Sequence, residues 1–184
     1  MAVPITEIRA GNAFIMNGKL YRAVEYSHIK WAQQARVRLK MKDLHTGAIT
    51  ESTFNVDEKV ERVHIEFRPM QYLYHDGQQY HFMDQENFNQ IALGQKLLGD
   101  AVNYLKEGFV VNIAFLEDEA LEVTLPAAVE LKVTETSPGY KGDTVSGGKP
   151  ATLETGLVVS VPFFINPGDT VKVDTREAKY LGRV

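Results

Sequence analysis

The chain reads as an all-β protein with one short helix, built as three consecutive small barrels. Three observations predict this. Apolar and polar residues alternate with period two in one segment after another, as in 35–42, where Val37, Leu39 and Met41 alternate with Arg36, Arg38, Lys40 and Lys42. Hairpin signals recur, with Asn17-Gly18 and Asp76-Gly77 each standing between two such runs. Only the stretch 97–107, LLGDAVNYLKE, carries a convincing helical period.

Residues 13–16 and 19–27 are expected as strands around Asn17-Gly18, which supplies the two positive-φ positions of a type I′ turn. Residues 35–42 form the next strand, His45-Thr46-Gly47 turns the chain, and 48–54 returns. A second barrel begins with Met70 to Tyr74, the Asp76-Gly77 turn and Gln79 to Met83. Asp84 follows as the cap of a short turn. On the helix 97–107, Leu97, Leu98, Ala101, Val102 and Leu105 share one face, and Gly108 stands as its C-cap. Strands 109–116 and 120–125 follow across the acidic turn Glu117 to Glu119. Strands before and after one connecting helix are the plan of an OB-fold. Pro126 ends that unit, and Val129, Leu131 and Val133 open the third with a new alternation. A loop rich in Gly and Pro runs from Ser137 to Pro150, and strands near 152–154, 157–162, 169–174 and 179–182 complete the barrel. The expected domains are 1–64, 65–126 and 127–184.

Composition excludes several functions. With no cysteine there is neither a disulfide framework nor a thiolate zinc site. No apolar run reaches membrane-spanning length, and MAVPITEIRAG lacks the basic and apolar regions of a secretory signal. A cytoplasmic protein with no membrane partner is expected. The net charge of −4 is uneven. Residues 1–64 carry ten Lys/Arg against seven Asp/Glu, whereas residues 65–126 carry three against ten. Lys30, Arg36, Arg38, Lys40 and Lys42 crowd one short stretch with no acid among them. A basic tip on an acidic body suits a protein that touches RNA in one place; a solvated strand face is the plainer account of the same pattern.

No catalytic site assembles from the residue types present. The five histidines lack the helical spacing of a metalloprotease pair, and no Gly-rich loop joins a strand to a helix. His75 and His81 flank the Asp76-Gly77 turn and read as cross-strand neighbours facing each other rather than as metal ligands. No metal, no cofactor and no enzymatic activity are expected. The loop His28 to Ala35 joins two long strands and contains Trp31, the only tryptophan. That ring either packs on the barrel mouth or stacks on an RNA base or ribose.

Lys149, Ala151, Gly156, Val161, Pro162 and Gly168, within KPATLETGLVVSVPFFINPG, carry the signature spacing of bacterial elongation factor P. YRAVEYSHIK, LHTGAITESTF, EKVERVHIEFRPMQYLYHDG, FMDQENFNQI and LPAAVELKVTETSPGYKGDTVSGGKPATLETG also resemble that family, so the resemblance covers nearly the whole chain. It implies a KOW/SH3-like first domain and two OB-folds in an L-shaped, tRNA-like arrangement. It implies a monomeric translation factor, not an enzyme, that binds the 70S ribosome beside P-site peptidyl-tRNA and stimulates peptide bond formation, relieving stalling at consecutive prolines. Lys30, Trp31, Ala32, Gln33 and Gln34 would then form the tip loop facing the tRNA acceptor end, with Arg36, Arg38, Lys40 and Lys42 on the RNA backbone. Gly142, Asp143 and Thr144 would read the tRNA D-arm, and Tyr180 and Arg183 would add RNA contacts in the C-terminal domain.

The tip departs from the family pattern. His28 and Lys30 match, but Trp31-Ala32 stand in place of Pro-Gly, and Gln33 stands where a modified Lys or Arg belongs. The loop is also about one residue short, which leaves Gln34 as the other candidate for the tip. A primary amide accepts none of the family's lysine or arginine modifications, so a tip-modifying enzyme is not an expected partner. Two other readings stay open: a paralogue of the family with a diverged tip loop, and a non-ribosomal OB-fold RNA-binding protein.

Overall fold

The computed structural model describes residues 1–31, 34–138 and 147–184, with the side chains of Trp31 and Gln34 also outside the description. Strands dominate, in three sheets.

The six-stranded sheet holds β1 (Ala2–Pro4), β2 (Ala13–Met16), β3 (Lys19–Trp31), β4 (Gln34–Asp43), β5 (Ile49–Asn55) and β6 (Lys59–Val63), in the order β1-β6-β2-β3-β4-β5. Asn17 and Gly18 take φ of 51° and 74°, as the turn between β2 and β3 requires. The alternation in 35–42 is realised: Val37 and Leu39 are fully buried and Met41 nearly so, beside Ile5, Ile8 and Phe14. The turn after β4 is built by Asp43, whose Oδ1 accepts the backbone N–H of His45 at 2.9 Å and of Thr46 at 3.0 Å. β1 and β6 were not legible in the sequence. KVERV reads as a polar run, and only pairing with β1 and β2 makes it a strand.

The second sheet contains β7 (Glu66–His75), β8 (Gln79–Asp84), β9 (Gln90–Gly94), β10 (Val110–Leu116) and β11 (Glu119–Thr124), in the order β11-β10-β7-β8-β9. The third contains β12 (Ala128–Thr136), β13 (Lys149–Leu153), β14 (Val158–Val161), β15 (Thr170–Asp174) and β16 (Lys179–Arg183), in the order β14-β13-β12-β15-β16. The two orders are one topology. The first strand is central, the next two form a meander on one side, and the last two lie on the other, as an OB-fold demands.

The expected helix 97–107 is corrected. The α-helix α1 spans only Gln95–Leu98, and a 3-10 helix follows over Gly99–Tyr104. Gly99 has φ 52° and ψ −131°, a conformation that only glycine adopts readily, so α-helical hydrogen bonding stops there. The buried residues Leu98, Ala101 and Tyr104 then recur every third position, the period of a 3-10 helix. Gly108 caps no helix; it sits in the turn before β10, where its N–H donates to the Tyr72 carbonyl at 2.9 Å. In the third sheet, the corresponding connection between β14 and β15 is a turn that plugs the core with the fully buried Ile165.

The described chain forms two compact units, Met1–Phe67 with Ala114–Glu122, and Arg68–Ile113 with Val123–Val184. In the first, Leu121 and Leu116 pack with Leu20, Leu44, Ile15, Val63 and Ile65. In the second, Leu131, Val133, Leu153, Val161, Ile165, Val171 and Val173 build one core together with Tyr104.

Candidate nucleic-acid interface

The basic stretch lies on the long hairpin of β3 and β4, paired from Tyr21↔Asp43 to Trp31↔Gln34. The register shifts between Ala23 and Glu25, so Val24 is the extra residue of a β-bulge. The bulge decides which residues share a face, because directly opposed residues project to the same side. Beyond it, Tyr26, His28 and Lys30 stand opposite Leu39, Val37 and Ala35. Glu25, Ser27 and Ile29 stand opposite Lys40, Arg38 and Arg36.

The five basic residues that cluster in sequence are therefore divided. Arg36, Arg38, Lys40 and Lys42 occupy one face of the ladder, and Lys30 occupies the other. Strands also claim much of the expected loop His28 to Ala35. His28, Ile29 and Lys30 belong to β3 and Ala35 to β4, because cross-strand pairing continues out to Trp31 and Gln34. Ala32 and Gln33 lie outside the described residues.

The cations are not equally available. Arg38 Nε lies 2.7 Å from Glu51 Oε1, and Lys40 Nζ 3.1 Å from Glu25 Oε1. Both pairs are open to solvent, so exchanging the carboxylate for another anion costs little. Lys42 is held more firmly. Its Nζ donates to Glu122 Oε1 at 2.5 Å, while Arg22 Nη1 donates to Glu122 Oε2 at 2.6 Å. Burial raises the Glu122 carboxyl, but the hydrogen bonds and charges of Lys42 and Arg22 outweigh it and bring the pKa below the ordinary glutamate value. Arg36 and Lys30 have no ion-pair partner among the described residues.

The other expected sites lie in the third sheet's domain. Gly142, Asp143 and Thr144 fall outside the described residues. At the base of that segment Lys149 is only 4% exposed, and its Nζ donates to the Ser137 carbonyl at 2.7 Å. The signature residues are builders of this fold. Lys149 pairs with Val161 and Ala151 with Val159; Ala151 and Val161 are buried; Gly156 and Gly168 hold turns at φ 87° and 93°. Tyr180 is half-buried and packs on the domain core. Arg183 is exposed, with its guanidinium 5.8 Å from the centre of the Phe164 ring and Nη1 4.0 Å from Asp169 Oδ2. His75 and His81 do not face each other. His75 opposes and stacks on Tyr80, and His81 opposes and stacks on Tyr74, because a bulge between Tyr72 and Tyr74 sets that register. No group of metal-ligating side chains occurs among the described residues.

Comparison with known proteins identifies the whole. Residues 4–60 match the elongation factor P KOW-like domain, 65–123 the elongation factor P OB domain, and 129–183 the elongation factor P C-terminal domain. The chain belongs to the elongation factor P family. Elongation factor P of Pelotomaculum thermopropionicum is 47% identical over 184 residues, covering 99% of this chain and 100% of that one. That of Dictyoglomus thermophilum is 48% identical over 183 residues, covering 98% and 99%. Among solved structures, translation initiation factor 5A from Methanococcus jannaschii shares the fold at a TM-score of 0.51 and 17% identity, over 67% of this chain and 95% of its own. A translation initiation factor 5A family protein from Naegleria fowleri does so at 0.50 and 14%, over 68% and 98%. Membership makes the chain a translation factor, not an enzyme, in a family that associates with the ribosome. No helix is long and apolar enough to cross a membrane among the described residues.

Within this family member, sequence reasoning missed Glu122, which holds Arg22 and Lys42 from 100 and 80 residues away. Nothing local announces such a partner. It also missed the contact of Tyr26 with His28, although period-two alternation does place residues 26 and 28 on one face.

Proposed function

We propose that this chain acts in the cytoplasm as a monomeric factor that binds the 70S ribosome beside P-site peptidyl-tRNA and speeds peptide bond formation at consecutive prolines. Its domains are 1–64, 65–126 and 127–184. The observation that carries the reading is the run of three elongation factor P domains, in order and at close to full length, with relatives near 47% identity. The factor supplies no chemistry. It holds the acceptor end in a reactive geometry, and positioning of this kind lowers a barrier without an added functional group.

The residues divide the work. Lys30 to Gln34 face the acceptor end and work unmodified, since Gln33 offers a neutral amide that donates and accepts hydrogen bonds. Arg36, Arg38 and Lys40 meet phosphates, which fix register without reading sequence. Lys42, tied to Glu122, shapes that face more than it binds. Gly142 to Thr144 contact the D-arm, and Arg183 and Tyr180 serve the C-terminal domain.

The test is synthesis of a polyproline reporter in a reconstituted translation system, with protein made in the absence of any modifying enzyme. Added factor is expected to raise the rate of proline-proline bond formation and leave control sequences unchanged. An unchanged rate at saturating factor overturns the reading.

A further inference from the structure

Beyond the bulge at Val24, β4 stays paired with β5 as far as Arg36↔Asn55, and past that pair the hairpin continues on its own two strands through Lys30↔Ala35 to Trp31↔Gln34. Tyr26 is where it is held. The Tyr26 ring has the Arg9 guanidinium 4.7 Å above its centre and the His28 ring edge-on at 5.2 Å and 87°. Its Oη lies 2.6 Å from His28 Nε2 and 3.4 Å from the Thr6 carbonyl. Arg9 is itself fixed: Nη1 donates to the carbonyls of Thr6 at 2.6 Å and Ile8 at 2.9 Å, and its backbone N–H donates to Asn12 Oδ1 at 3.0 Å. The N-terminal segment thus grips the arm through one aromatic ring, and the ring passes the grip to His28.

The hydroxyl works in either proton arrangement. With Nε2 bare, Tyr26 donates to it. With Nε2 protonated, the imidazole donates to Oη and the hydroxyl hydrogen turns to the Thr6 carbonyl. The contact holds in both cases, so it is a brace and not a switch.

We propose that Tyr26, seated between Arg9 and His28, is a positioning residue that braces the far end of the β3–β4 hairpin and with it sets the place of Lys30. This rests on the function proposed above. Two strand residues carry the hairpin from Ile29, opposite the last residue paired with β5, to Trp31, roughly 7 Å, so a tilt of about 10° there moves its end by roughly 1 Å. A displacement of even ~1 Å at a reacting centre can cost about 100-fold in rate.

The experiment compares Tyr26→Ala, Tyr26→Phe and Arg9→Met with the parent protein. Arg9 is exposed, so its replacement does not open the core. Backbone order parameters of Lys30 and Ala35, beyond the last pair with β5, are expected to fall from about 0.85 to below about 0.6 in Tyr26→Ala and less in Arg9→Met, with the rest of the domain unchanged. In proline-proline bond formation, Tyr26→Ala is expected to lower the maximal rate about tenfold, with the half-saturating factor concentration within about twofold. Tyr26→Phe keeps the ring under Arg9 and is expected to recover all but about two- to threefold of the rate. Unchanged order parameters in both Tyr26→Ala and Arg9→Met refute the brace. A loosened arm with an unchanged maximal rate, or a loss explained wholly by weaker binding, refutes the positioning role. If the parent protein itself fails to stimulate, the proposed function fails, while the order parameters still judge the brace.

Discussion

The hairpins β3–β4 and β7–β8 are built alike and equipped differently. Each is a long antiparallel pair with one bulge, and each carries a histidine against a tyrosine. The second satisfies itself. Asp76 Oδ1 accepts the N–H groups of Gln78 and Gln79, both at 2.8 Å, and Oδ2 lies 2.8 Å from His81 Nε2. The backbone bond from Gln79, then His81 and Gln78, hold the Asp76 carboxyl far below the ordinary carboxylate range. No Lys or Arg occurs between Arg68 and Lys96. The first hairpin keeps Lys30 and Arg36 without ion-pair partners among the described residues and leaves Arg38 and Lys40 in exchangeable surface pairs. Similar local architecture thus carries polar groups closed on themselves in one hairpin and left open in the other, and the proposed RNA contact rests on that difference.

The strongest test of that contrast is charge reversal. Arg36→Glu with Arg38→Glu is expected to weaken ribosome affinity by on the order of 100-fold and to flatten its salt dependence by about two in slope. The matched change on the other hairpin, Tyr74→Ala with His75→Ala, is expected to stay within about twofold, since it removes no phosphate contact. Ribosome-binding isotherms across a salt series decide between them. Equal losses from both hairpins would erase the contrast.

A smaller effect is expected at Glu122. Its removal as Glu122→Gln leaves Lys42 and Arg22 without their anion and should cost about 1–2 kcal/mol at pH 7, discounted for partial exposure. The folded pKa lies below the unfolded one, so this stabilisation is present above the unfolded value and lost as pH falls through the folded value. Urea unfolding of both proteins should converge in acid; a gap of constant size from pH 7 to pH 3 would assign the effect to shape and not to charge.

Asp76 should give the smallest and most local effect. Its folded pKa is also depressed, so the carboxylate supports the turn above the ordinary aspartate value and the support fades as pH falls well below it. Asp76→Asn should speed hydrogen exchange at the Gln78 and Gln79 amides near neutral pH without altering the stability of the first domain. Unaltered exchange there would mean that the turn, and not the carboxylate, closes this hairpin.

Local chemistry was legible. Asn17-Gly18 forms its turn because the required φ values belong to those residue types. Val37, Leu39 and Met41 face inward because a strand's alternation admits only one burial face. Family spacing in Lys149 to Gly168 was equally plain, although those residues build a hairpin and a core. The helix at 97–107 was misread because one backbone conformation, at Gly99, replaced an α period with a 3-10 period, which keeps Leu98 and Ala101 inside and brings in Tyr104.

By itself the sequence determined the fold class, the turn positions, the inward faces and the family, since each depends on residue type and spacing over a few positions. Only tertiary structure decided which cations stand together. The bulge at Val24 sends Lys30 to the face opposite Arg36 and Arg38, and Glu122 reaches Lys42 and Arg22 from a distant strand. A one-residue slip in register inverts every side chain beyond it, and an ion pair needs two groups within a few ångströms regardless of separation along the chain.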